Sequence, residues 1–405
     1  MTQKLYLFDS YLKRTNAVVL KCEKAENGYE VELDKTVLYP EGGGQPYDTG
    51  RIGGINVIRV REEGECVKHT IEEPLALMQE VEVELDWQRR FDHMQQHSGE
   101  HLLSFAAKEL FGATNIGFHM AASYCTVDFD KEFTKEEILA LERRTNELVY
   151  SNLPVEITNV HIDALSCLEL RKCAKGLSGN VRIISMPGGD SCTCCGTHVN
   201  STGEIGAVLV TAQMHYKGGE RITFAAGHRA LAFAQQVRGI TEALARSFSC
   251  KMEDVQAAVE KLDTGLSAAR RTNKQLYSRL SEYIAKDLRA SSKKAGNVHI
   301  IVRFIDEMPA QMLRQLANTL CQPGCTLALL FTQAEDAIHY TLCCSDGLEA
   351  DAGELIQAVN AATGGRGGGR GTFGQGSTKK LAALGETLSQ LEEYFSKALK
   401  SKSCR

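Results

Sequence analysis

Hydrophobic and polar positions alternate in short runs through residues 1–90, at 17–21, 29–33, 55–60 and 81–85. That period of two marks strands, and the turn material Glu26-Asn27-Gly28 and Arg51-Ile52-Gly53-Gly54 separates them. A small barrel or strongly twisted sheet is expected. The period then changes. Phe91, Met94, Leu102, Leu103 and Phe105 fit one face of a partly buried helix. Thr134 and Glu137 have the spacing of a capping box, with Ile138, Leu141, Leu148 and Val149 continuing at helical intervals. Strand-like runs follow at 181–186 and 207–211.

Residues 227–290 read as helical, with a break near Ser249-Cys250-Lys251. Within them Val255, Val259, Leu262, Leu266, Ala269, Asn273, Leu276, Leu280 and Tyr283 alternate four and three apart. This heptad seam predicts a helical hairpin, an inter-subunit coiled coil, or both. The remainder alternates: strands at 298–304, 326–331 and 339–343, helices at 310–320 and 354–362, and an amphipathic helix at about 378–399. Between the last two helices lies Gly364-Gly365-Arg366-Gly367-Gly368-Gly369-Arg370-Gly371. As a linker it would be unremarkable; as backbone interleaved with arginine it can approach phosphate or RNA closely, and that reading is preferred. The fold class is therefore α+β and multidomain, with expected boundaries at 1–90, 91–226, 227–292 and 293–405.

Composition narrows the class. At 405 residues the chain exceeds one ordinary core. No apolar run approaches the roughly 18 residues that span a bilayer, and the first residues lack a secretory pattern, so a cytoplasmic protein without a membrane partner is expected. Fourteen cysteines in such a chain suggest reduced thiols and metal ligands before disulfides. A net charge of −5 excludes little, because a nucleic-acid surface needs only local positive charge.

The candidate chemistry lies in two distant pieces. His97 and His101, four apart on a helix, present both imidazoles on one face. Cys192-Thr193-Cys194-Cys195-Gly196-Thr197-His198 offers thiolates and a third imidazole. Together they predict one zinc ion per chain held by His97, His101, Cys194 and His198, with Cys192 and Cys195 as alternative thiolates. Tyr39-Pro40-Glu41-Gly42-Gly43-Gly44-Gln45-Pro46, followed by Asp48-Thr49-Gly50, is a restrained glycine loop that permits positive φ and close ligand approach. No general base stands out. Asp92 and Glu100 are expected to support a ligating histidine, and Asp190 reads equally as a turn residue.

These residues resemble a known family. His97-x-x-x-His101 with Cys194-x-x-x-His198 is similar to the zinc motif of the alanyl-tRNA synthetase editing domain and of its freestanding AlaX-type relatives. The glycine loop at 39–46 resembles the family's N-terminal barrel motif, and 364–370 resembles the glycine signature of the DHH-associated domain found in the long AlaX form. Cys195 stands where synthetases commonly carry glycine, and Ser98 where many carry threonine.

The resemblance implies four parts: a glycine-motif β-barrel, an α+β zinc-containing editing core, a helical hairpin or coiled-coil arm, and a C-terminal α/β DHH-associated domain. It also implies a deacylase that edits mischarged tRNA(Ala) in trans, with serine the leading wrong residue and glycine the second. Gly43, Gly44 and Gln45 would line the aminoacyl pocket with Ser98 and Thr197 beside the zinc, Gln45 meeting the seryl hydroxyl. Arg182, Lys217, Arg221, Arg366 and Arg370 are expected at tRNA phosphates, and the heptad arm or the C-terminal domain as a homodimer contact. Three other readings compete: editing of a different aminoacyl-tRNA, since threonyl-tRNA synthetase shares the ligand pattern, an RNA-binding protein whose zinc is structural, and a zinc hydrolase acting on a small ester.

Overall fold

The structure is a computed structural model that describes residues 1–174, 176–322, 324–334, 337–379, 383–400 and 402. The chain divides into two compact units, 1–247 and 248–405.

The first unit opens with strands β1 (Arg14–Ala25), β2 (Gly28–Leu33), β3 (Gly50–Ile52), β4 (Ile55–Glu63), β5 (Cys66–Ile71) and β6 (Glu80–Leu85). They pair in the order β1-β2-β5-β4-β3-β6, and β6 returns to β1, so the sheet closes into a barrel. The alternating residues point Val19, Val31, Leu33, Ile52, Val60, Val67, Ile71 and Val83 into one interior core. Gly28 takes φ 108° at the tight β1–β2 turn, where a Cβ would lie 2.2 Å from the Ile71 carbonyl oxygen.

Helix α1 (Trp87–Phe111) leaves the barrel with Asp86 as its N-cap, accepting from the Arg89 amide, and ends at Gly112 in a left-handed C-cap. Strands β7 (Asn115–Met120) and β8 (Cys125–Phe129) follow, then α2 (Lys135–Tyr150), whose Thr134–Glu137 capping box forms. Next come β9 (Glu156–His161), β10 (Asn180–Ser185), β11 (Ser191–Thr193), β12 (Val208–Tyr216), β13 (Gly219–Ala226) and helix α3 (Gly227–Phe248). Two antiparallel sheets result, in the orders β12-β13-β8-β7 and β9-β10-β11. Met94, Leu102, Leu103 and Ala106 of α1 meet Leu141 and Leu148 of α2 and Val127, Phe129 and Phe224 of the larger sheet in one core. Fifteen residues of α1 are buried, including His93, His97 and His101, so the helix runs through this unit.

In the second unit α4 (Val255–Ala290) is one 36-residue helix. It is followed by β14 (Lys293–Ala295), β15 (Val298–Phe304), α5 (Ala310–Cys321), β16 (Thr326–Ala334), β17 (Ala337–Cys344), α6 (Ala352–Thr363), β18 (Arg366–Arg370), β19 (Phe373–Lys379) and α7 (Leu384–Ala398). The strands make a mixed sheet ordered β14-β15-β16-β17-β19-β18, with β15 and β16 parallel. One face packs α5 and the end of α4 through Ala285, Leu313, Leu316 and Leu330; the other packs α6 and α7 through Ile356, Val359, Leu391 and Phe395.

One alternative falls away here and one expectation changes. The glycine-arginine segment is an edge strand, which removes the linker alternative: Gly364 caps α6 at φ 62°, and β18 then pairs with β19. The final helix begins at Leu384, and residues 373–379, partly placed in that helix by sequence, form β19. Residues 380–382 lie outside the described residues.

Candidate metal centre

Helix α1 brings His97 and His101 to one face, and the loop after β11 brings Cys194 and His198 against them. The four ligating atoms lie within 4.8 Å of one another. The Cys194 Sγ is 3.5 Å from His97 Nε2 and 3.3 Å from His198 Nε2. In a tetrahedral shell with metal–nitrogen and metal–sulfur bonds of about 2.0 and 2.3 Å, the N···S edge is about 3.5 Å. The donor set and its spacing fit zinc. Cys194 is the thiol gathered with all three imidazoles; Cys195 is exposed, and Cys192 forms a separate group with His101 and Asp190.

Each imidazole is oriented from behind. His97 Nδ1 meets Gln45 Oε1 at 2.9 Å, His198 Nδ1 meets Ser98 Oγ at 3.0 Å, and His101 Nδ1 meets Asp190 Oδ2 at 3.0 Å. Such partners fix ring and tautomer, leaving Nε2 to ligate. Asp190 is buried and held by Arg171, whose Nε and Nη2 donate at 2.6 and 2.9 Å. Burial alone would raise the Asp190 carboxyl, but His101 and Arg171 hold it well below the ordinary carboxylate range. Burial pulls His198 down to about 3, which keeps it neutral and able to ligate at neutral pH. Burial would also raise the Cys194 thiol, yet His97 and His198 hold it well below its ordinary value.

The loop geometry depends on Gly196. A Cβ there would sit 2.1 Å from His97 Cε1, so the loop can close on the imidazole only with glycine. On the other side, His97 stacks on Phe118 at 5.4 Å, and the Met120 amide donates to the Gly44 carbonyl at 3.0 Å, which ties the glycine loop to β7. The centre forms one wall of a cavity of about 400 Å³ that Gly43, Asn115, Phe118 and Arg182 also line.

Comparison with known proteins places these features. Residues 181–223 match the threonyl and alanyl tRNA synthetase second additional domain, and 297–397 match the DHHA1 domain. The alanyl-tRNA editing protein Aarsd1 of Rattus norvegicus is 30% identical over 407 residues, covering 96% of this chain and 97% of that protein. The Bos taurus protein of that name is 34% identical over 307 residues, covering 71% and 69%. The chain belongs to the alanyl-tRNA editing protein family. An alanine--tRNA ligase from Thermococcus kodakarensis is also similar, 30% identical over 408 residues, with 97% of this chain matching 44% of the ligase.

In this family member several candidate residues occupy unexpected places. Gln45 is buried, and its amide is fully engaged: Oε1 accepts from the Thr197 amide at 3.1 Å as well as meeting His97, and Nε2 donates to Thr197 Oγ1 at 2.8 Å. Gln45 thus ties Thr197 to His97 at the candidate metal site, whereas sequence placed Gln45 and Thr197 beside the substrate. Ser98 likewise faces His198. Arg182, expected at phosphate, is buried and donates to the carbonyls of Leu7, Cys194 and Gly196 at 3.1, 2.8 and 2.9 Å. Arg221 pairs with Asp128 at 2.6 Å and lies 3.8 Å over the Tyr216 ring. Lys217, at the exposed β12–β13 turn, and Arg366 and Arg370 on β18 are open to solvent.

Glu100 accepts from Ser104 and Asn115, both at 2.5 Å, and its other oxygen is 4.0 Å from His101 Nε2. Asp92 holds Arg229 at 2.6 Å on α3 instead of a histidine. Arg171 escaped the sequence reading altogether. It is separated from His101 by seventy positions, and only the pairing with Asp190 could have flagged it.

Proposed function

We infer that this protein is a zinc-dependent aminoacyl-tRNA deacylase that edits in trans. It hydrolyses the ester joining serine, and secondarily glycine, to the 3′ end of tRNA(Ala), releasing free amino acid and tRNA. The observation that carries this reading is the convergence of three separately oriented imidazoles and one thiol on the wall of a cavity. Relatives along nearly the whole chain are named as alanyl-tRNA editing proteins. His97, His101, Cys194 and His198 would hold the ion, which supplies Lewis acidity and a fixed anchor for the ester. Around it, Gln45, Ser98 and Asp190 hold the imidazoles, Gly43 leaves room for the acyl group, and Phe118 walls off water.

Lys217, Arg366 and Arg370 supply exposed positive charge for the tRNA body. The seam of α4 supports self-association. Val259, Leu262, Leu266, Leu276, Leu280 and Tyr283 are 44–72% exposed along one helix. Sedimentation of Leu262→Glu and Leu276→Glu variants tests it, with loss of the dimer expected. Among the described residues no helix is long and apolar enough to cross a membrane. The cytoplasm is the proposed compartment; Cys22, Cys66, Cys167 and Cys173 are free thiols, while Cys325 is disulfide-bonded.

The full set of four protein ligands favours a second reading, an RNA-binding protein with a structural zinc. Deacylation of Ser-, Gly- and Ala-tRNA(Ala), by zinc-loaded and by chelated protein, separates the two. Zinc-dependent loss of serine with alanine spared is the expected result. Inertness of folded, zinc-loaded protein toward all three overturns the editing reading.

A further inference from the structure

His97, Glu100, His101 and Ser104 follow one another at i, i+3, i+4 and i+7 along α1, so Glu100 shares the helical face of two candidate ligands. It is 4% exposed, and among the described residues that line the cavity it is the one carboxylate. A carboxylate at that depth is costly unless its oxygens are engaged.

The two oxygens differ. Oε1 accepts from Ser104 Oγ and Asn115 Nδ2, both at 2.5 Å, which fixes the side chain. Oε2 makes no hydrogen bond among the described residues, yet it is not one of the unpaired atoms sealed from water there, as Asn115 Oδ1 and Arg182 Nη2 are. It lies 4.0 Å from His101 Nε2, the nitrogen left to ligate. That is too long for a hydrogen bond, and His101 is already oriented through Nδ1 by Asp190. Glu100 therefore leaves the imidazole to Asp190 and presents a free acceptor oxygen beside the candidate metal site.

Hydrolysis of an ester by water is accelerated by such an acceptor. Resting on the editing reading above, we propose that Glu100 Oε2 takes the proton of the water that attacks the aminoacyl ester. The water oxygen bonds to the ester carbonyl carbon as one of its protons passes to Oε2. The bond from that carbon to the ribose oxygen then breaks, and the ribose oxygen takes the proton, which restores the carboxylate. Free amino acid and tRNA leave. A carboxylate beside two imidazoles of one helix is how zinc proteases supply their base.

Glu100→Gln tests the assignment, because it keeps a carbonyl oxygen for Ser104 and Asn115 and removes the proton acceptor. On Ser-tRNA(Ala) its kcat is expected to fall about a hundred- to ten-thousandfold with KM unchanged. Its zinc is expected to resist a competing chelator as the wild type's does. A variant that keeps the wild-type kcat overturns the assignment. So does one that gives up zinc at about ten- to a hundredfold lower chelator concentration, because that loss marks a support of the ligands. Single turnovers of the wild type are expected to slow in deuterium oxide; equal rates in the two solvents overturn the assignment whether or not the variant folds. Inertness of the zinc-loaded wild type instead removes the editing reading, and this assignment with it.

Discussion

Gln45 and His97 share a 2.9 Å hydrogen bond that joins the glycine loop of the barrel to an imidazole of the metal centre. The same glutamine oxygen accepts from the Thr197 amide at 3.1 Å, so one side chain sets both the ring and the loop of the candidate metal site. Removing such a support usually lowers metal affinity about ten- to a hundredfold. Gln45→Ala is therefore expected to lose zinc to a competing chelator at correspondingly lower concentration, with deacylation falling in step. Wild-type zinc affinity in the variant would return Gln45 to the aminoacyl pocket.

Gly196→Ala is a steric test of the same loop. Its added methyl would lie 2.1 and 2.3 Å from His97 Cε1 and Nδ1, so ring or loop must move. Overpacking of this kind costs about 1–3 kcal/mol, and here the displaced group is a candidate ligand. The purified variant is expected to contain less than one zinc per chain and to unfold at lower temperature. Full metal content with an unchanged melting temperature would show that the loop yields without strain.

Arg90 on α1 and Asp48 after the glycine loop form an ion pair with both side chains 0% exposed. The guanidinium also donates to the carbonyls of Ser10 and Val37, at 2.9 and 2.7 Å. Such a pair adds little net stability against an apolar replacement, but breaking one side strands a buried charge. Arg90→Met is expected to cost about 3–5 kcal/mol in urea unfolding, and Arg90→Met with Asp48→Leu to recover part of that loss. Equal losses in the single and double variants would show that the carbonyl contacts, not the pair, hold this junction.

Local pattern carried much of this architecture. Strand runs, the Thr134–Glu137 capping box and the His97–His101 spacing are short-range signals, and each lies where its period placed it. The partners of residues acting across the chain have no sequence signature. Gln45 and Arg182 read as binding residues when taken alone, and only folding reveals that Thr197, His97 and the Cys194 carbonyl engage them. The strand at 366–370 was hidden for another reason. Its glycines carry no strand pattern, yet Cβ atoms on Gly367 and Gly369 would come within 2.5 Å of the β19 backbone, so their role is close pairing at a sheet edge.

His69 makes the barrel sensitive to acid. It is 0% exposed, with Nε2 at 2.9 Å from Thr36 Oγ1 and Nδ1 at 3.2 Å from the Val31 carbonyl. Burial lowers it from its ordinary value of 6.5 to about 4 in the folded chain. The unfolded chain thus binds this proton more readily, and stability is full above pH 6.5 and falls as pH drops toward 4. The integrated loss over that window is about 3 kcal/mol from this one group. His93, which burial pulls down to about 3, acts in the same direction. His69→Gln cannot titrate but keeps a polar group for Thr36, so its urea midpoint is expected to fall less steeply than the wild type's between pH 6.5 and 4. Parallel slopes for the two proteins would assign the acid sensitivity to other groups.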